Sequence, residues 1–319
     1  SHVLLSPVIC VYKYNYTIVF SRRKSMAIDE QTMSANLDQP GGNPLGKFFR
    51  VPAIQLRLPS GGKYWPPGTL EMTQTGEVPV YPMTARDEMI FNNPDALLNG
   101  QAVVDVIHSC IPNIKNAWEM PAVDLDAVLV AIRIASYGEN MEFTSTCPSC
   151  NEENTFGIDL RPILDTVKNG PDYSEEFAYK GLTFNFKPQN YATVNMINIE
   201  TFESQRLFSV VNNSDLPDDE KLSRVNAIFK KMTDYTVGII SGAIDQIITP
   251  DGTSVTNRTH IDEFLTNVDR KLFKWIQEQV TNLGAQGVLN PIQTQCPECQ
   301  HEYEVPMAFD NANFFESGS

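Results

Sequence analysis

Two Cys-x-x-Cys knuckles, Cys147-Pro148-Ser149-Cys150 and Cys296-Pro297-Glu298-Cys299, take four of the six cysteines in this chain and lie on either side of residues 151–295. A thiolate pair spaced by two residues turns tightly round a metal, and two such pairs supply the four soft ligands of a closed tetrahedral zinc site. Because the knuckles are so far apart, a shared ion would tie an early part of the chain to a late one and remove much unfolded-state freedom. Strand-like residues flank each knuckle, at 141–146 and 154–158 for the first and at 293–295 and 302–305 for the second. The spacing therefore predicts a split zinc ribbon of two short hairpins, with Cys147, Cys150, Cys296 and Cys299 holding one structural Zn2+.

The competing readings of these cysteines are weaker. A redox Cys-x-x-Cys opens a helix after a strand, which neither knuckle does. Disulfides need an oxidising compartment, and no secretory signal of the usual order is present. His301 stands beside Cys299, but four thiolates already fill the coordination sphere, so it reads as a surface residue. A site closed by four sulfurs leaves no position for water, which disfavours zinc hydrolysis.

Composition sets further bounds. The chain has 319 residues, 42% hydrophobic and 20% charged, enough for about two domains. Its net charge of -15 works against a nucleic-acid-binding ribbon, because neutralising phosphates needs a basic surface. Residues 3–20 are apolar, but the basic run Arg22-Arg23-Lys24 follows them, the reverse of a signal peptide, and Pro7, Lys13 and Asn15 spoil a membrane span. Met26 reads as a natural start, so residues 1–25 are expected to be an upstream extension, with an added edge strand as the alternative. A native peptide spanning Ser25 and Met26 would exclude the extension.

Along the chain, residues 29–49 read as a flexible polar arm centred on Gly41-Gly42-Asn43-Pro44. Ile54, Leu56 and Leu58 alternate with polar residues as in a half-buried strand, and the prolines at 66, 67, 79 and 82 predict a stiff extended segment. Thr84 and Asp87 resemble a capping box. Helices are expected at 94–110, 124–137, 192–211 and about 219–235, with Gly138 as a stop; residues 237–248 fit either a helical continuation or a buried strand. A hairpin is expected at 177–186, and a last helical block runs from 259 to a break at Gly284 and Gly287. His108 and Cys110 read as core residues of their helix rather than a nucleophile pair.

The predicted fold class is α+β, a mainly helical body with a split zinc ribbon of short β-hairpins and an extended Pro-rich N-terminal region. Its expected units are an arm (1–47), an extended segment with a helical domain (48–140), the split ribbon and β region (141–189 with 288–310), and a helical insertion (190–287). No phosphate loop, dinucleotide fingerprint, nucleophile elbow or His-Glu-x-x-His motif occurs, and acidic pairs such as Asp218-Asp219 and Asp262-Glu263 sit at expected helix starts. The reading is that of a protein without enzymatic activity.

Three stretches carry a resemblance: Arg50-Val51-Pro52 through Leu58-Pro59-Ser60-Gly61-Gly62-Lys63-Tyr64-Trp65-Pro66, then Gly76-Glu77-Val78-Pro79-Val80-Tyr81-Pro82-Met83-Thr84-Ala85, then Asn93-Pro94-Asp95-Ala96-Leu97-Leu98-Asn99-Gly100. Together with the Ser109-Cys110-Ile111-Pro112-Asn113-Ile114 run and the first knuckle, they resemble the baseplate hub protein family of T-even-like contractile-tailed bacteriophages, most closely over residues 48–165. The helical insertion and N-terminal extension depart from compact members. The resemblance implies a structural or assembly protein of the virion tail baseplate, folded in host cytoplasm, that packs against other tail proteins, with self-association in the baseplate as a further partnership. It implies no nucleic-acid or membrane partner. The alternatives are an assembly factor absent from the finished virion and a zinc-ribbon module acting on nucleic acid or a transcription complex. Against the latter, Glu142, Glu152, Glu153, Glu298, Glu302 and Glu304 surround the knuckles.

Overall fold

The structure is a computed structural model that describes residues 45–91, 100–167, 171–212, 217–286 and 292–305. Most of the expected arm, the upstream extension, the start of the second helix at Pro94 and the break at Gly287 lie outside the described residues.

The architecture is α+β with two apolar cores. In the first, β1 (Ile54–Leu56) pairs antiparallel with β2 (Val78–Val80), placing Ile54 opposite Val80 and Leu56 opposite Val78. Pro79 is tolerated because this sheet has only two strands and demands no ladder bond from it. Helix α1 (Ala85–Phe91) begins as the capping signature predicts: the Thr84 amide donates to Asp87 Oδ2 at 2.7 Å, and the Asp87 amide returns to Thr84 Oγ1 at 3.3 Å. Helices α2 (Gln101–Cys110), α3 (Ala122–Tyr137) and α4 (Leu160–Val167) complete this body. Helix α3 is its centre. Residues Ala127 to Ile132 are all buried, as befits a helix apolar on every side. Gly138 ends α3 at φ 89°, its amide donating to the Ile134 carbonyl.

The second core is built on an antiparallel sheet in which β5 (Glu176–Tyr179), β6 (Leu182–Phe186), β7 (Ile244–Ile248) and β8 (Ser254–Val255) lie in chain order. Between β6 and β7 the chain makes a long helical hairpin, α5 (Tyr191–Asn212) and α6 (Asp218–Ala243). Helices α7 (Arg258–Asn267) and α8 (Arg270–Gln286) cover the sheet, with Phe184 beside Trp275 at 5.4 Å and Ile276 fully buried. Each such apolar side chain contributes about 1.5–3 kcal/mol through burial.

Three details differ from the sequence expectations. The stretch 237–248 is both things at once: α6 runs through Ala243, and the next residue, Ile244, starts β7, where Ile244 and Ile247 face the core. The block 190–287 accordingly contains strands as well as helices, and the hairpin at 176–186 pairs with β7 instead of with the cysteine hairpins. The last helical block is two helices, because Val268 turns extended and Asp269 restarts the chain by accepting from the amides of Lys271 and Leu272 at 2.9 and 3.0 Å.

The two cores are joined at the start of α3. The Ala122 amide donates to the Gln189 carbonyl and the Tyr191 amide to the Met120 carbonyl, both at 2.8 Å, while Trp118 stacks on Tyr191 at 5.4 Å. Gly100 holds the entry to α2 at φ 77°, and a Cβ there would meet the Asn195 side chain at 2.6 Å. Gly100→Ala is therefore expected to destabilise the fold by about 1–3 kcal/mol, read as a lowered denaturation midpoint with an unchanged slope.

Candidate metal centre

Both knuckles sit at hairpin tips. Strand β3 (Asn140–Thr146) pairs with β4 (Glu153–Asp159) around Cys147 and Cys150, and β9 (Ile292–Gln295) pairs with β10 (Glu302–Val305) around Cys296 and Cys299. The two turns are built alike. In the first, the Cys147 amide donates to the Glu152 carbonyl at 2.8 Å, the Asn151 amide donates to the Cys147 carbonyl at 2.9 Å, and Asn151 is left-handed at φ 58°. In the second, the Cys296 amide donates to the His301 carbonyl and the Gln300 amide to the Cys296 carbonyl, both at 2.9 Å, with Gln300 at φ 59°. Asn tolerates that conformation better than most residues, whereas Gln300 adopts it without that advantage, held by the same pair of backbone bonds.

All four sulfurs come together. Their Sγ atoms lie within 4.8 Å of one another, with Cys147 to Cys299 and Cys150 to Cys296 each at 3.6 Å. A tetrahedral ion with Zn–S bonds of about 2.3 Å requires sulfur separations of about 3.8 Å, so the arrangement fits such an ion. None of the four is bonded in a disulfide, whose sulfurs would be about 2.05 Å apart. Cys147 and Cys296 are buried, Cys150 and Cys299 are exposed, and Tyr303, Phe156 and Val305 pack beneath them.

The polar surroundings favour sulfur anions. Amide N–H groups of Cys299 and, after the opposing effect of burial, Glu298 draw the Cys296 thiol down to about 6. Burial pushes the Cys147 thiol up, but the amides of Cys150 and Ser149 and the Cys299 thiol outweigh it, and the net shift is downward. Cys150 goes the other way, to about 12: the Glu152 amide lowers it, but burial and the neighbouring sulfurs win. Four sulfurs this close cannot all ionise unaided, and a divalent cation would relieve the repulsion. Buried Asn154 adds a side-chain donor to Cys296 Sγ at 3.5 Å. His301 lies outside the group of four sulfurs, and its ring stacks on Tyr303.

Cys110 is a core residue, as its place on α2 predicts, whereas His108 is half-buried at the edge of that core. His108 Nε2 accepts the Ala117 amide at 3.0 Å, burial lowering its pKa, and the buried Cys110 thiol is pushed up to about 12, chiefly by burial.

Two polar clusters that sequence reasoning did not single out explain much of the distinctive sequence before α3. Asp124, fully buried, accepts from the Ser60 amide at 2.7 Å, Ser60 Oγ at 2.6 Å and Trp65 Nε1 at 2.8 Å, pinning the Ser60-Gly61-Gly62-Lys63-Tyr64-Trp65 loop to the first turn of α3. Arg50 donates to the Pro82 carbonyl at 2.6 Å and to the carbonyl and Oγ of Ser109 at 2.8 and 2.9 Å, with Asp87 at 3.5 Å. Their one sequence signal was a carboxylate at 124, four residues before Val128 on a helix otherwise apolar on that face. Arg50→Ala is expected to cost about 2–3 kcal/mol in denaturant titration, and Arg50→Lys to restore less than half, since one ammonium cannot reproduce the planar fork.

The fold defines a two-core α+β protein in which two hairpins gather four cysteine sulfurs that could hold a metal ion, with no helix among the described residues long and apolar enough to cross a membrane. Its sequence matches the T4 bacteriophage base plate protein family over residues 51–316, and the chain belongs to that family. No curated protein and no solved structure matches it significantly. Membership implies a structural role in the phage tail baseplate among other tail proteins.

Proposed function

We propose that this chain is a hub component of a contractile-tail baseplate, a structural part that works by packing against neighbouring tail proteins and catalyses no reaction. One zinc ion bound by Cys147, Cys150, Cys296 and Cys299 clips its two distant hairpins into a split ribbon. The observation that carries this reading is the gathering of four sulfurs within 4.8 Å from knuckles separated by residues 151–295. In host cytoplasm, where disulfides do not persist, such an ion would serve as the staple.

The working units are the arm (1–47), the helical body (48–140) and the split ribbon region (141–189 with 288–310) enclosing the insertion (190–287), with the hairpin at 176–186 supplying strands to the second core. Neighbouring copies of this chain are among the proposed partners; nucleic acid and membrane are not. The exposed carboxylates Glu142, Glu152, Glu153, Glu298, Glu302 and Glu304 around the knuckles would repel a phosphate backbone, which weighs against a transcription-type ribbon.

Quantitative peptide mass spectrometry of purified virions beside tail-assembly intermediates tests the role. A fixed ratio to other tail proteins in the virion is the expected result. Presence in intermediates with absence from virions would replace the hub reading with that of an assembly factor.

A further inference from the structure

We propose that the four sulfurs are also a site of oxidative modification, at which peroxide forms two disulfides between the hairpins, Cys147 to Cys299 and Cys150 to Cys296, so that the clip survives loss of its metal. The pairing follows from the placing of the sulfurs. Only the release of an ion rests on the zinc reading.

Each cross pair is 3.6 Å apart and joins one buried sulfur to one exposed sulfur. Peroxide reaches Cys150 and Cys299 from solvent, while Cys296 and Cys147 sit behind them as resolving partners. At each pair, one sulfur, reacting as its thiolate, takes one oxygen from hydrogen peroxide, and with the proton the thiol gave up this yields a sulfenic acid and one water. The other sulfur of the pair then attacks the oxidised one. A sulfur–sulfur bond forms, the sulfur–oxygen bond breaks, and the hydroxyl leaves with the thiol proton as a second water. Each pair loses two electrons to one peroxide. Where the sulfurs start as metal-bound thiolates, the same two couplings release the divalent ion, and the protons for water come from solvent.

Coupling inside a knuckle is opposed by the turn. The Cys147–Glu152 and Asn151–Cys147 backbone bonds fix the first turn, and the amides of Cys150 and Ser149 are directed at the Cys147 sulfur. A Cys147–Cys150 bond would draw that sulfur from its donors and strain a turn held at both ends. The cross pairs need only side-chain movement from 3.6 Å to about 2.05 Å. A particle assembled in a reducing compartment and then released into an oxidising one would exchange a metal staple for a covalent one of the same span.

The test treats the full chain with hydrogen peroxide, blocks remaining thiols, and maps tryptic peptides without reduction while a chromogenic chelator reports released zinc. Trypsin leaves both first-knuckle cysteines in the fragment 134–168 and both second-knuckle cysteines in 275–319. The expected product is these two fragments joined, in a chain lighter by about 4 Da. Separate fragments carrying internal disulfides, or sulfinic and sulfonic acids without linkage, would overturn the proposal. Joined fragments from protein that never held zinc would support the pairing and reject the zinc reading. In wild-type protein, fragmentation of the joined species must place Cys147 with Cys299. As a second check, Cys150→Ser should still join through that pair, while Cys150→Ser/Cys299→Ser, which leaves the two buried sulfurs, should join at least about tenfold more slowly.

Discussion

Stripping zinc with a strong chelator is expected to collapse the two cysteine hairpins while both apolar cores stay folded. Hydrogen exchange should show this as loss of protection across β3, β4, β9 and β10, with the central helix α3 and strands β6 and β7 unchanged. The reason lies in how little else holds the knuckle ends: each hairpin is an isolated two-stranded sheet, the first rests on the first core only at its base through Met141 and Ile158, and the apolar support beneath the sulfurs is Tyr303 with Phe156 and Val305. Structural zinc in small finger peptides binds with about 10–16 kcal/mol, far more than those few contacts can offer. Cys147→Ser/Cys299→Ser should reproduce the chelated state permanently. Unchanged protection after verified metal removal would show that the hairpins need no ion.

The second large effect is expected at Asp124. Replacing it with Ala removes the acceptor for the Ser60 amide, the Ser60 hydroxyl and the Trp65 indole, three donors beside a carboxylate that is fully buried. Orphaned donors of this kind cost about 1–3 kcal/mol each at most, and losing a buried charged acceptor about 3–5 kcal/mol in all. The expected loss for Asp124→Ala is therefore about 3–5 kcal/mol in urea titration at pH 7. The loop from Ser60 to Trp65 should be released first.

The same carboxyl gives a pH dependence of defined sign. Burial raises its pKa from 3.8 to about 6, against the opposing hydrogen bonds from Ser60 and Trp65. Between these values the native state holds a proton that the unfolded state has lost, so this group's contribution is full below pH ~4, falls as pH rises towards ~6, and is constant above. The size is about 3 kcal/mol across the window, at 1.36 kcal/mol per unit. Comparing wild type with Asp124→Asn over pH 4–7 isolates it, since every other titrating group is common to both proteins. A difference between the two that does not change over this range would contradict the assignment.

Much of the local structure was legible in the sequence where a short spacing fixes the physics. Thr84 and Asp87 announced the start of α1, Gly138 the end of α3, and the matched knuckles the two hairpins that bring four sulfurs together. Long-range pairing was not legible. Ile244 to Ile248 becomes a strand because β6 lies beside it, with Phe184 opposite Ile247, and nothing within the stretch itself separates that outcome from a longer helix. Val268 and Asp269 carry the break between α7 and α8 without any glycine or proline to mark it. Asp124 and Arg50 were missed for a related reason: each derives its role from partners far away in the chain, Ser60 and Trp65 for one and Pro82 and Ser109 for the other.

The account rests on one ion joining two knuckles. Native mass spectrometry of the full-length protein, purified without added metal, tests this most directly when run beside Cys147→Ser/Cys299→Ser. The account predicts one zinc per wild-type chain and none in the variant; a metal-free wild type, or zinc retained in full by the variant, would contradict it.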